Sequence, residues 1–322
     1  MYSDKYLLPD WRTAKNIAIR DGVGEGLVKL GEDKTDIVVL TADLGGSTKV
    51  RNFAEAYPDK FFDVGVAEQN MIGVAAGLSF EGFVPFTSSY ATFSPGRSWE
   101  QIRVSVCLSN ANVKIIGGHA GVATGFNGPS HQGTEDIALM RVLPNMIVLV
   151  PCDAMQANMA IETAYSHIGP VYIRATRPDT PNFTKPRPFE IGKAYVYREG
   201  ESITICACGI QVYDALMVAE ELSNEGVECE VINVSSIKPL DSETIIKSVE
   251  KTKKIITFED HQISSGMGSA IAEMLCERHP IKIKRVGIND WFGMSGEWVK
   301  VYQKMGLDRS SLKKAVVDWL HE

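Results

Sequence analysis

The sequence predicts an α/β protein of two domains, each built on a mostly parallel sheet flanked by helices, with the second domain the smaller. Three observations predict it. The chain has 322 residues, of which 44% are hydrophobic, enough to fill more than one buried core. Short runs rich in β-branched residues alternate with stretches of helical periodicity, the pattern of strand–helix–strand units in a parallel sheet. That alternation stops once, at a cluster of prolines, and then restarts.

In chain order, strand-like runs are expected at 36–41, 113–117, 146–150 and 171–174, with helices between them. Gly22, Gly24 and Gly26 superficially suggest a nucleotide loop, but they sit inside a helical pattern and not between a strand and a helix. Residues 177–192 contain Pro178, Pro181, Pro186 and Pro188, which neither continue a helix nor enter a central strand. The linker is placed at 179–192, separating a domain over 10–178 from one over 193–322. Further strands are expected at 203–207, 228–234, 254–258 and 281–286. The glycines within 264–269 read as a tight strand-to-helix turn, since no lysine or Walker spacing accompanies them. The basic run 247–254 carries Glu250 and reads as a solvated helix face.

A net charge of −7 argues against a phosphate-backbone partner, which needs a basic face, so nucleic acid is not expected. The six cysteines are scattered, with no CxxC pair and no histidines at metal-ligand spacing, and read as reduced, buried thiols. No metal ligand is assigned in this chain. No run reaches membrane-spanning length and the start has no signal-peptide core, so a cytoplasmic protein with no membrane association is expected.

Two segments are poorly explained by packing alone. In Asp63-Val-Gly-Val-Ala-Glu-Gln-Asn70 a carboxylate stands where a helix begins. The helix continues as Met71-Ile-Gly-Val-Ala-Ala-Gly-Leu78, small and apolar enough to be buried on nearly every side. Glu68 is then either a desolvated functional carboxylate or an N-terminal charge satisfying the helix dipole. The second segment, Gly128-Pro-Ser-His-Gln132, closes a polar loop that begins at Gly117 and holds His119, Asn127 and His131. Such loops at the carboxyl ends of parallel strands are where α/β proteins place binding sites.

These residues resemble those of thiamine-diphosphate enzymes of the transketolase type. The similarity runs from about Arg20 to the C-terminus, through Asp43-Leu44, the segment 63–77, Thr92-Phe93, His119, the segment 128–132, Glu135-Asp136, Leu143-Pro144-Asn145, Gly287-Ile288 and Phe292-Gly293, in the order of a pyrimidine-binding domain and a transketolase C-terminal domain. The Gly-Asp-Gly motif of the magnesium-diphosphate domain does not precede them. The resemblance therefore implies the C-terminal half of a split enzyme. An N-terminal partner subunit would hold the diphosphate and most of the Mg2+ coordination, in an α2β2 assembly with the active site at the interface.

In that family the glutamate equivalent to Glu68 shares a proton with a ring nitrogen of the aminopyrimidine, which thiamine diphosphate needs for its activation. Burial would help Glu68 carry that proton, because desolvation disfavours the charged form. Tyr90 and Phe93 match the aromatic pair that packs on the pyrimidine, with ordinary core aromatics as the alternative. Asp43 resembles another cofactor-side residue, or else caps the next helix. Arg20, Ser47, His119 and Arg177 fall where the family grips the anionic tail of a sugar, a charge-assisted clamp in which arginine supplies forked donors. His131, with His119 able to share the duty, would manage substrate protons. Where transketolases usually carry an acidic residue to read a substrate hydroxyl, this chain has Asn127, an amide that donates as well as accepts. The resemblance implies transfer of a two-carbon ketol unit from a phosphorylated or sulfonated ketose to an aldose. The rivals are the β subunit of a 2-oxo-acid dehydrogenase, which does not need the 128–132 loop, and a noncatalytic assembly subunit, which does not need a buried carboxylate.

Overall fold

The computed structural model describes all residues 1–322. The larger sheet has seven strands in the order Ser236–Lys238, Ile147–Leu149, Val171–Arg174, Lys114–Gly118, Val84–Tyr90, Ile37–Thr41 and Phe61–Asp63. All neighbours are parallel except at the Ser236–Lys238 edge. That edge strand belongs to the second half of the chain, so the two domains share a sheet. The smaller sheet has five strands in the order Ile283–Ile288, Ile255–Gln262, Ile203–Ala207, Cys229–Asn233 and Tyr195–Arg198, the last antiparallel. No helix is long and apolar enough to cross a membrane.

The central strand Val84–Tyr90 was not among the runs expected from the sequence. It carries Pro85 and then Thr87, Ser88 and Ser89, a poor strand signature, yet every residue in it is buried. Its position between two parallel neighbours overrides local propensity. Five of its residues register with Lys114–Gly118 from Phe86↔Lys114 to Tyr90↔Gly118, so its end delivers Tyr90 beside the loop that starts at His119.

Gly22, Gly24 and Gly26 lie inside the helix Ile19–Asp33. A Cβ at Gly22 would stand 2.0 Å from the Ala154 carbonyl oxygen, and one at Gly26 would stand 3.1 Å from that of Asn158. The helix Ala154–Ser166 packs directly on this glycine face. Its N-cap, Asp153, is fully buried and accepts from Gln156 N at 2.8 Å, Phe183 N at 2.8 Å, Thr184 N at 2.7 Å and Thr184 Oγ1 at 2.8 Å. Four donors on one carboxylate replace the water it lost. They also fix the stretch read as a linker, whose residues Asp179–Pro181 pair with Asn16–Ala18 and whose Phe183 and Phe189 are buried. The proline-rich stretch is therefore packed structure and not a free tether.

One expectation about burial needs correction. In the helix Glu68–Phe80, Met71, Ile72, Ala75 and Ala76 are buried, but Gly73, Val74, Gly77 and Phe80 are not. The helix packs on its own sheet and on residues 99–108, while Gly73 and Gly77 have nothing within 4 Å of where a Cβ would stand.

Candidate active site

The residues singled out in the sequence lie at a strand end or on the loops and helix starts that follow strands. Asp43 follows Ile37–Thr41 in a left-handed conformation (φ +59°), and its N–H donates to Asp63 Oδ1 at 2.9 Å. The same oxygen accepts from Gly65 N at 3.0 Å. Asp63 thus fixes the turn between its strand and the helix that Glu68 begins, while the Asp43 side chain stays exposed. The Glu68 side chain is 1% exposed, and Arg97 Nη1 donates to its Oε2 at 2.7 Å from a side chain that is 50% exposed. Arg97 also lies over the Phe93 ring, 4.8 Å from its centroid. The surroundings of Glu68 are therefore not purely apolar: a guanidinium joins its carboxylate to the aromatic residue next to it.

Four rings, Phe93 among them, form a cluster. Tyr90 stacks on Phe93 with centroids 5.8 Å apart and planes 18° apart, and on His119 at 3.9 Å and 21°. His131 meets Tyr90 and Phe93 edge-on at 6.0 Å and 5.3 Å. His119 is held in a left-handed conformation (φ +52°), its carbonyl accepting from Thr124 Oγ1 at 2.6 Å. Its Nδ1 is buried with no hydrogen-bond partner in the chain.

Arg20 donates through Nη1 to the Ser47 carbonyl at 2.9 Å, and Arg177 through Nη1 to Thr124 O at 3.4 Å. Burial pushes His119 down to about 3, and Arg20, Arg177 and His131 each push it the same way. These groups therefore surround it within Coulombic range. His119 is therefore neutral at physiological pH and able to donate or accept a hydrogen bond, and the positive charge beside it comes from Arg20 and Arg177. His131 is half-buried, with Nδ1 3.0 Å from Ser130 Oγ. Asn127 is exposed at the tip of the same loop. The arrangement offers a buried carboxylate at one end, a cluster of stacked and edge-on rings in the middle and two guanidinium groups beyond.

Comparison with known families assigns both halves. Residues 15–182 match the family described as "Transketolase, pyrimidine binding domain", and residues 192–312 match "Transketolase, C-terminal domain". The chain belongs to the transketolase family. A transketolase C-terminal section described in Methanocaldococcus jannaschii is 43% identical over 304 residues, which is 93% of this chain and 95% of that protein. The 6-deoxy-6-sulfo-D-fructose transketolase subunit of Clostridium sp. (strain MSTE9) is 40% identical over 302 residues, 92% of each chain. A subunit of the apulose-4-phosphate transketolase of Phocaeicola vulgatus is 35% identical over 306 residues, 94% of this chain and 98% of that one. Among solved structures, one described as "Split gene transketolase, inactive beta4 tetramer" superposes with a TM-score of 0.89 at 45% identity, covering 95% of this chain and 99% of that one.

Within this transketolase subunit, three residues that shape the site had no role of their own assigned from the sequence. Arg97 lies four positions past Phe93 in a turn rich in Pro95 and Gly96, and nothing local marks it as the partner of a glutamate 29 residues away. Gln132, the last residue of the Pro-Ser-His-Gln run, is buried, and its Nε2 donates to Met294 O at 2.9 Å across the domain boundary. Asp260 lies in the C-terminal domain and accepts the Val122 N–H at 3.1 Å. Its distance of 138 residues along the chain hides that contact from any local pattern.

Proposed function

We propose that this chain is the pyrimidine-side subunit of a thiamine-diphosphate-dependent transketolase that acts in the cytoplasm. In this reading it moves a two-carbon ketol unit from a ketose with an anionic tail to an aldose, once assembled as α2β2 with an N-terminal subunit that binds the diphosphate and Mg2+. The observation that carries the reading is the joining of Glu68 to the Tyr90, Phe93, His119 and His131 cluster through Arg97. These residues fit an aminopyrimidine: aromatic surface at Phe93 and Tyr90 for the ring, a buried carboxylate for a ring nitrogen, and a His119 Nδ1 with no partner of its own. When bound, the cofactor supplies the electron sink that carbon–carbon cleavage next to a carbonyl requires.

The chain's own residues would divide the rest. Glu68 holds a proton at the pyrimidine, and the half-exposed Arg97 yields its place when the ring arrives. Tyr90 and Phe93 exclude water from one face. His131 transfers protons at the sugar hydroxyls, with neutral His119 donating or accepting beside it. Arg20 and Arg177, with the Ser47 segment, hold the anionic tail, and Asn127 reads a hydroxyl from the loop tip. A terminal phosphate or sulfonate suits the same two guanidinium groups. The relatives described as acting on a sulfonated and on a phosphorylated sugar agree with that range. A partner subunit is supported by the uncovered face of Glu68–Phe80, with Phe62 at 42%, Val66 at 73% and Phe80 at 61% exposure around it, a patch that water does not favour.

The test is ketol transfer by the purified chain with and without its N-terminal partner, in thiamine diphosphate and magnesium, offering phosphorylated and sulfonated ketoses. Activity in the mixture that disappears with Glu68→Ala is expected. Oxidative decarboxylation of a 2-oxo acid with no ketol transfer would replace this reading with the dehydrogenase one.

A further inference from the structure

The loop 119–133 that carries His119, Asn127 and His131 is gripped at three points by the C-terminal domain. Near its start Val122 N–H donates to Asp260 Oδ1 at 3.1 Å; at its middle Ser295 Oγ donates to Phe126 O at 2.8 Å; at its end Gln132 Nε2 donates to Met294 O at 2.9 Å. The first grip is the most constrained. Gly121 has φ +76°, and Asp260 approaches so closely that a Cβ on Gly121 would stand 1.9 Å from its Oδ2. Residue 121 must therefore be glycine on both counts.

Asp260 sits in the strand Ile255–Gln262 and is 3% exposed. Its Oδ2 accepts the Tyr302 hydroxyl at 2.5 Å, and its main-chain oxygen accepts from Arg174 Nη2 at 2.8 Å. Burial pushes its carboxyl up, opposed first by the Arg174 guanidinium and then by the bonds from Tyr302 and Val122. A buried carboxylate anchored on both oxygens is a fixed point, because releasing either donor leaves a desolvated polar atom. From that point the turn leads straight to the site: Thr124 Oγ1 returns to the His119 carbonyl at 2.6 Å, and Gly121 N donates to Gly133 O at 2.7 Å, two residues past His131.

We infer that Asp260, oriented by Tyr302, is a positioning residue: it sets the Gly121–Val122 turn and through it the placement of His119 and His131 toward a bound sugar. The C-terminal domain then shapes the active site without touching substrate. The kinetic part of this inference rests on the ketol-transfer reading; the geometric part does not.

Two variants test it. Asp260→Asn keeps the shape but turns one accepting oxygen into a donor, and Tyr302→Phe removes only the hydroxyl that orients the carboxylate. In the complex with the N-terminal subunit, thiamine diphosphate and magnesium, with a phosphorylated ketose as donor, Asp260→Asn is expected to raise KM for the ketose about tenfold. Because His131 moves with the same turn, kcat should fall as well, by up to about tenfold, while the half-saturating cofactor concentration should change by less than about threefold. Tyr302→Phe should move KM in the same direction by less. In the isolated chain, the ring signals of His119 and His131 in a 13C-histidine NMR spectrum should shift in both variants while those of His167, His279 and His321 stay in place. Unmoved His119 and His131 signals, or a fall in melting temperature with unchanged KM, would overturn the inference and leave Asp260 as interdomain glue. If Asp260→Asn does not fold, Tyr302→Phe decides alone. A wild-type complex that transfers no ketol would sink the functional reading, and the NMR result would still decide whether the latch exists.

Discussion

Two small-residue helices of the N-terminal domain make opposite use of their glycines. In Ile19–Asp33, Gly22 and Gly26 lie against Ala154–Ser166 so closely that any side chain at Gly22 would enter the Ala154 carbonyl. In Glu68–Phe80, Gly73 and Gly77 have nothing within 4 Å of where a Cβ would stand. The first pair is explained by a neighbour inside the chain. The second pair has the same composition without the neighbour, and its uncovered face continues into Val74 and Phe80. Small residues repeated on one helix face allow close backbone approach, so the difference points to a neighbour on another chain, at the helix whose first residue is Glu68.

The largest expected effect tests the functional end of that helix. Glu68→Ala in the assembled complex should lower kcat by about 10²-fold or more, measured as ketol transfer, with the melting temperature of the isolated chain little changed because Arg97 is half-exposed and reaches water on its own. A variant that retains activity would mean that the buried carboxylate serves the helix dipole alone. The next effect is on stability. Gly22→Ala forces a methyl into the Ala154 backbone and should destabilise the chain by about 3 kcal/mol in urea unfolding.

Gly77→Ala should do the reverse to the isolated chain, raising its stability by about 0.5–1 kcal/mol since alanine suits a helix interior better than glycine. It should also weaken association with the N-terminal subunit about tenfold or more, read by analytical ultracentrifugation. If Gly77→Ala assembles as well as wild type, the comparison between the two helices fails.

The smallest effect is on pH dependence. His119 is pushed down to about 3 by burial, so the folded chain excludes a proton that the unfolded chain binds below its ordinary value near 6.5. Its contribution to stability is present above pH 6.5 and is lost as pH falls toward 3. Wild type should therefore lose stability more steeply than His119→Asn on acidification, by up to about 1.4 kcal/mol per pH unit; asparagine tolerates the left-handed backbone there. Equal slopes, from denaturant unfolding at pH 6.5, 5.5 and 4.5, would mean that the site is wetter than its geometry indicates.

Much of the fold was legible because periodicity reports burial on a small scale. The runs expected at 171–174 and 203–207 are strands Val171–Arg174 and Ile203–Ala207, and the others fall within a few residues of strands. Val84–Tyr90 was not legible, because a central strand that ends in a site carries the polar residues of the site. The candidate site was legible where a motif is contiguous, as in Glu68 and His131. It was hidden where the contact spans the chain, as in Arg97 to Glu68 and Asp260 to Val122.

The sequence by itself therefore determined the α/β alternation, the family and the motifs that carry the candidate site, since each is a pattern read along the chain. Only the tertiary structure decided that the proline-rich stretch is packed, that the Glu68 helix keeps one face uncovered, that Arg97 occupies the Glu68 carboxylate, and that the C-terminal domain holds the histidine loop. Those facts depend on which distant surfaces meet, and burial, close approach and the pairing of buried charges are properties of surfaces in contact that no local pattern encodes.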